Sequence, residues 1–406
     1  MTRVQSPRGF HLARAPANDG YFSLGGDAVD TDVPASPREV VWLMVVPLQL
    51  PGLGPLAVEL LLSAFAGGLL GAALGAYGAF ALAGLVVVAG EAATLVGRSV
   101  GAETAAVDPS LPLAAAGLTG SVGLGPVLGP HVAFAGGAAA AAFAARRGDV
   151  PADTEYHPAK AVGVSLGADP AVLVAGGVFG AFGYAVAAVS GSLLALPLDP
   201  VALAVVVSGF THRLVFGYPL VGRPEGGWLD MSAYDGERTR EGGERPVVEP
   251  FLPHQSGWAR ALVLGVGTGL FGAYVAYRTA SPYLAFGLAS VTLALVVVDN
   301  YRPPVVLHMA LPASLAALSL VPAQYGLGEM TPALVASEVP FLAALLLGAG
   351  FGALAGLAGE FFGRTLYAHA DTHLDPPMAA VAATTLVLGV LVLAGVLPNG
   401  VVLPMP

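Results

Sequence analysis

The chain has 406 residues, of which 55% are hydrophobic and 11% charged, with a formal net charge of −10 and a mean hydropathy of +0.74. Soluble domains carry roughly 25% charged residues; this chain has more apolar surface than it can hide inside itself, and the composition points to an all-α, polytopic transmembrane helix bundle with the lipid bilayer as its solvent. The acidic balance argues against nucleic acid as a partner, and the absence of cysteine excludes disulfides, thiol catalysis and cysteine-based metal sites.

Residues 1–38 form a polar tail with four arginines and no apolar run, the pattern of a cytoplasmic tail and not of a cleavable signal peptide. The first transmembrane half is expected over 39–218. It opens on a short apolar stretch, 40–50, interrupted by Pro47, which either crosses or lies in the interface. Full-length crossings follow at about 56–77 and 78–97; Gly67, Gly71 and Gly75 give the first a small-residue ridge for helix contact. Glu59 and Glu91 sit inside these two segments. Residues 110–129, broken by Gly and Pro, read as a re-entrant or broken helix, which is tolerated only when buried in protein or lining a cavity. Further crossings are expected near 130–146, 169–190 and 199–217. A polar linker, 219–256, separates this half from a second over 257–398, with crossings near 259–279, 282–299, 303–322, 338–363 and 377–397 and a short tail at 399–406. The total is ten to eleven crossings.

The halves look like copies. His131 and His308 each follow a proline-containing stretch and open an Ala-rich apolar helix; Leu198-Asp199-Pro200 and Leu374-Asp375-Pro376 each open the last helix of a half. His131 lies 68 positions before Asp199, and His308 lies 67 before Asp375. The two histidine helices are five crossings apart, and an odd offset makes equivalent helices run in opposite directions, as in an inverted repeat. With 40–50 crossing and 110–129 re-entrant, 15 of the 17 basic residues fall on one side, leaving Arg98 and Arg278 opposite. The positive-inside tendency then places the protein in the cell membrane as a multi-pass chain, N-terminus cytoplasmic and C-terminus outside. Exchanging the roles of the two short segments gives a similar bias, so which of them crosses stays open.

Several ionisable residues fall in or at the ends of apolar segments, where a charge costs at least about 2.5–3.5 kcal/mol. His131, Asp199, His308, Asp375, Glu91 and Glu360 are therefore candidates for a substrate or ion pathway. Each has a structural alternative: Asp199 and Asp375 as helix N-caps, Glu360 as an ion pair with Arg364 one turn on, the histidines as helix-end residues bonded to backbone. Arg213, beside His212, marks a helix end, and Lys160, the single lysine, falls in a polar loop. The densest polar cluster is His369-Ala-Asp371-Thr-His373-Leu-Asp375. On an extended backbone its four ionisable side chains share one face; on a helix they pair at i, i+4. Either geometry would gather His369, Asp371, His373 and Asp375 as ligands for a divalent metal ion, although the spacing matches no metalloenzyme signature.

The segments GPHVAFAGGAAAAAFAARRG at 129–148, VLVAGGVFGAFGYAV at 172–186, FTHRLVFGYPLVG at 210–222 and YAHADTHLDPPMAA at 367–380 resemble a family of uncharacterised archaeal and bacterial integral membrane proteins, best represented in haloarchaea. The resemblance runs over roughly 55–397 and implies a membrane protein, with no activity to carry over. On the residues themselves, the first expectation is a secondary transporter or ion-coupled permease for a small solute or ion, coupled to a proton or Na+ through the paired Asp and His residues. A membrane-embedded metal-dependent hydrolase built on 369–375 is the second, and a passive channel the third. There is no nucleotide-binding P-loop. The glycine ridges serve packing within one subunit or in a homo-oligomer.

Overall fold

The computed structural model describes residues 54–101, 117–150, 154–224, 226–240, 243–296, 298 and 302–404. The short stretch 40–50 and residues 110–116 lie outside the described residues. Among those described the chain is helical, with no strand beyond an isolated bridge between Thr239 and Pro246.

In the first half, α1 (Val58–Leu74) and α2 (Ala76–Gly101) meet at Gly75, whose φ of 82° turns the chain where a side chain would be strained. Residues Thr119–Gly123 form a wide π-type turn, not a continuous helix. A second π segment, Pro130–Phe134, runs into α3 (Ala135–Arg147); α4 (Pro170–Ala188) continues through a π turn at Val189–Leu193, and α5 (Pro200–Val215) closes the half. The linker carries the short α6 (Ser232–Asp235). The second half holds α7 (Trp258–Thr279), α8 (Leu284–Val291), α9 (Leu293–Val296), α10 (Leu307–Leu318), the short α11 (Pro332–Glu338), α12 (Phe341–Phe362) extended by a π turn at Gly363–Ala368, and α13 (Pro376–Leu393).

Five segments are long and apolar enough to cross a membrane: Ala76–Gly97, Pro170–Leu193, Trp258–Thr279, Phe341–Ala368 and Pro376–Leu393. Val58–Leu74, Pro200–Val215, Leu284–Val296 and Leu307–Leu318 are apolar but shorter. Large apolar side chains remain on the outside, Leu62, Val263, Leu342 and Leu346 each more than 60% exposed. That is the pattern expected of a chain solvated by lipid.

Small residues set how the helices meet. In the first half, Gly68 of α1 sits against Gly176 and Gly180 of α4, and a Cβ at any of the three would overlap the opposing backbone. In the second half Gly265 and Gly269 of α7 meet Gly348 and Gly352 of α12 in the same way. Without a hydrophobic drive between helices in lipid, such backbone-to-backbone approach supplies the packing. α3 packs on α1 and α4, and α10 on α7 and α12; α4 continues to α5, and α12 to α13.

Helix pairs also tie residues 58–215 to residues 284–393. α2 lies antiparallel to α8, with Gly84 near Ser290 and Glu91 near Ser281. α5 lies antiparallel to α13, with the Asp199 amide donating to Thr385 Oγ1 at 2.9 Å at one end and Gly209 against Leu374 toward the other.

Candidate functional site

Asp199 and Asp375 both precede a proline that opens a helix, and the local chemistry is the same in each. The Asp side chain accepts from the third residue on, Ala202 N for Asp199 and Met378 N for Asp375, each at 2.7 Å. Proline needs no donor at the first helical position, and the carboxylate satisfies an amide the helix itself leaves open. The second oxygen of Asp375 lies 3.2 Å from His373 Nε2, both side chains fully buried. The His373 ring is surrounded edge-on by Tyr77, Phe134, Phe251 and Tyr367, with centroids 5.3–6.1 Å away.

The rest of the 369–375 segment does not converge on this pair. Among the described residues no three His, Asp or Glu side chains gather at one point in the way a metal ion needs. The backbone is neither extended nor helical there but a series of bends, so alternate residues leave in different directions. His369 packs edge-on against Trp228 at 6.1 Å, where burial lowers its pKa. Asp371 turns to the linker and accepts from Arg245 Nη2 at 2.9 Å. Burial opposes its ionisation, but the bond to Arg245 and the nearby charges of His157, Arg245 and Arg240 together outweigh it and hold its carboxyl below the usual range.

That linker is more than a connection. It folds back onto the 369–375 segment, the Glu249 amide donating to the Ala368 carbonyl at 3.0 Å, and Glu249 is buried. Lys160 Nζ lies 2.6 Å from Glu249 Oε2, each side chain 1% exposed. It also donates to the Tyr367 carbonyl at 2.9 Å and stands 4.2 Å above the Tyr367 ring. Arg245 pairs with the other Glu249 oxygen and bridges to Asp371. Burial lowers the Lys160 ammonium to about 8, although Glu249 pulls the other way. Beside this network the fully buried Arg213 donates to Thr372 Oγ1 at 2.8 Å and to the carbonyls of Leu220, Leu366 and Thr372. Loop 154–166, the linker, the end of α5 and the segment before α13 are thus locked together at one end of the bundle.

The remaining candidates are dispersed. His131 is buried in the π segment before α3, its ring stacked on Tyr184 at 6.2 Å. His308, also buried, lines a cavity of about 20 Å³ with Glu360 and Arg364, enough for about one water. Glu360 accepts from Arg364 Nε at 2.7 Å and from the Gly257 amide at 2.9 Å, which ties α12 to the start of α7; this is the structural ion pair. Glu59 is exposed in the first turn of α1. Glu91 is buried and accepts from Ser281 Oγ at 2.6 Å, while its other oxygen has no partner among the described residues.

At the end of α5 opposite Arg213, ~24 Å away by helix length, lies a cavity of about 560 Å³. Asp199 borders it, with Ser192, Tyr283 and Val401 toward the surface and Leu311, Met378 and Val381 within. Ser192 and Val401 are exposed. Met378 is the residue whose amide Asp375 caps, so the starts of α5 and α13 meet the same cavity.

Sequence reasoning singled out Asp199, Asp375 and His373 as candidates and did not single out Lys160, Glu249 and Arg245. Their one visible signal is that Lys160 is the single lysine of the chain; its partner lies 89 positions away in a stretch that reads as a solvated linker. No curated protein and no solved structure matches the chain. A family model matches residues 52–406, and the chain belongs to that family, a family of unknown function (DUF7973).

Proposed function

We propose that this member of DUF7973 is a membrane permease that couples passage of a small solute to a proton, with Asp375 and His373 carrying the proton and the two halves related as inverted repeats. The observation that carries this reading is the cavity of about 560 Å³ that reaches from the surface at Ser192 to Met378, while the other end of the bundle is closed by the buried Lys160–Glu249 pair and the half-buried Arg245 and Asp371 bonded to it. A path open at one end and sealed at the other is what one state of alternating access requires.

Matched contacts support the repeat. The Ala64 carbonyl approaches Gly180 as the Ala261 carbonyl approaches Gly356; His131 and His308 also meet glycines at corresponding positions, though differently, His131 approaching Gly183 with its backbone carbonyl and His308 approaching Gly359 with its ring. Long helices α4 and α12 both end in a π turn that leads to a Leu-Asp-Pro start. Equivalent helices that pack against one another, α2 with α8 and α5 with α13, do so antiparallel, as an axis in the membrane plane requires. By the positive-inside tendency the Lys160 end faces the cytoplasm.

His373 and Asp375 suit proton transfer because they are buried, within hydrogen-bond reach, and screened from water by aromatic rings. In vesicles containing the purified chain, with a mixture of small cationic, anionic and neutral solutes on both faces, a potassium diffusion potential should drive solute-dependent proton entry, read by an internal pH dye. Asp375→Asn keeps a good cap but cannot carry the proton, and is expected to reduce the flux at least ten-fold. Flux no greater than in protein-free vesicles, or unchanged in Asp375→Asn, would refute the proposal.

A further inference from the structure

The chemistry of the large cavity specifies more than its existence. Among its described lining residues Asp199 is the one charged side chain; none is Lys, Arg or His. The capping bond to Ala202 N occupies one Asp199 oxygen, and a carboxylate offers about four lone-pair sites. A second acidic group stands behind the wall: Glu91 is bonded to Ser281, whose hydroxyl caps the turn that holds Tyr283 in the cavity lining. The basic residues of the linker network sit at the other end of α5, ~24 Å away. With Asp199 ionised and no basic side chain in the described lining, the field in the cavity is negative, and low-dielectric walls strengthen it.

The walls choose the kind of cation. A volume of about 560 Å³ far exceeds the ~10–15 Å³ that admits one water. The side-chain oxygens of the described lining belong to Thr119, Ser192, Asp199 and Tyr283 alone, with Asp199 the one carboxylate among them, a poor match for a hard metal ion that takes about 6–8 oxygens, whereas Tyr283 and Phe286 present aromatic rings to a charge that carries apolar substituents. We infer that the cavity is a binding site for a small organic cation, a quaternary ammonium or protonated amine, held by the Asp199 carboxylate and the Tyr283 and Phe286 rings. As the solute site, it rests on the permease reading above; as a binding site, it does not.

The test uses the purified full chain in detergent and choline as the probe, with 3,3-dimethylbutan-1-ol, the uncharged isostere of the same shape, as the comparison, both followed by titration calorimetry. Choline is expected to saturate one site, the alcohol to bind at least ten-fold more weakly, and Asp199→Asn, which retains the cap, to weaken choline at least ten-fold. Tyr283→Leu should weaken choline as well and Tyr283→Phe should not, a pair that keeps the inference falsifiable if Asp199→Asn does not fold. No saturable choline binding, equal binding of the alcohol, or indifference to both Asp199→Asn and Tyr283→Leu would overturn it. Choline binding without proton flux in vesicles would sink the permease and leave the site; flux without choline binding would do the reverse.

Discussion

Lys160 and Glu249 show what a single buried residue can decide. Each is an ion that would be costly alone, and each is held by the other and by Arg245 or a backbone carbonyl. Removing the lysine in Lys160→Ala leaves Glu249 to Arg245 and is expected to cost about 3 kcal/mol, the low end for a broken buried pair, read as a fall in the unfolding midpoint in detergent. Because the chain has one lysine, 13C-labelled lysine gives a single side-chain signal that titrates at about 8, against about 10.4 for a free lysine. A midpoint near the free value would show the pair to be open. The sign for stability follows: between those two values the folded state has lost this proton and the unfolded state has not, so this group's contribution rises with pH across that window. The residues at Asp199 and Asp375 were legible in the sequence because Asp followed by Pro is a local signal, complete within four positions. The partners of Lys160 were not: Arg245 and Glu249 are four positions apart, but nothing local marks the contact of position 160 with 249 or of 245 with 371.

Along α7 the difference between a packing glycine and an idle one spans two positions. A Cβ at Gly265 would overlap the Gly352 carbonyl and lie 2.8 Å from the Ala353 Cα. One at Gly267 meets nothing within 4 Å. Gly265→Ala should therefore force α7 and α12 apart and lower the midpoint by several degrees, whereas Gly267→Ala should be neutral or stabilising by up to about 1 kcal/mol, the helix propensity gained over glycine. Equal effects at the two positions would contradict the close approach. The glycine ridge could be read from the sequence at small-xxx-small spacing, but which glycines face a neighbour could not, because both faces of α7 are apolar. The path of the 369–375 segment was hidden for a related reason. Alternation of His and Asp invites an extended or helical reading, but the preceding π turn and the two prolines after Asp375 bend the chain, so Asp371 leaves toward Arg245 and His373 into the aromatic cage.

For the whole molecule, composition and apolar run lengths sufficed for an all-helical chain with membrane-length segments; the paired His and Asp-Pro landmarks are what suggest two halves. The cavity was not legible, because it is assembled from the turn at 119–124, the starts of α5, α8 and α13 and residues 401–404, stretches with no pattern in common. Function in the proposed sense requires that the cavity end and the Lys160 end lie on opposite sides of the membrane. The cysteine-free chain allows a direct measurement: single substitutions Ser192→Cys and Thr239→Cys, both at exposed positions, reacted in sealed vesicles of one orientation with a maleimide that cannot cross the bilayer. Two inverted halves around the cavity predict that one site labels from outside and the other only after the vesicles are opened. Labelling of both from the same side would contradict the arrangement and the permease with it.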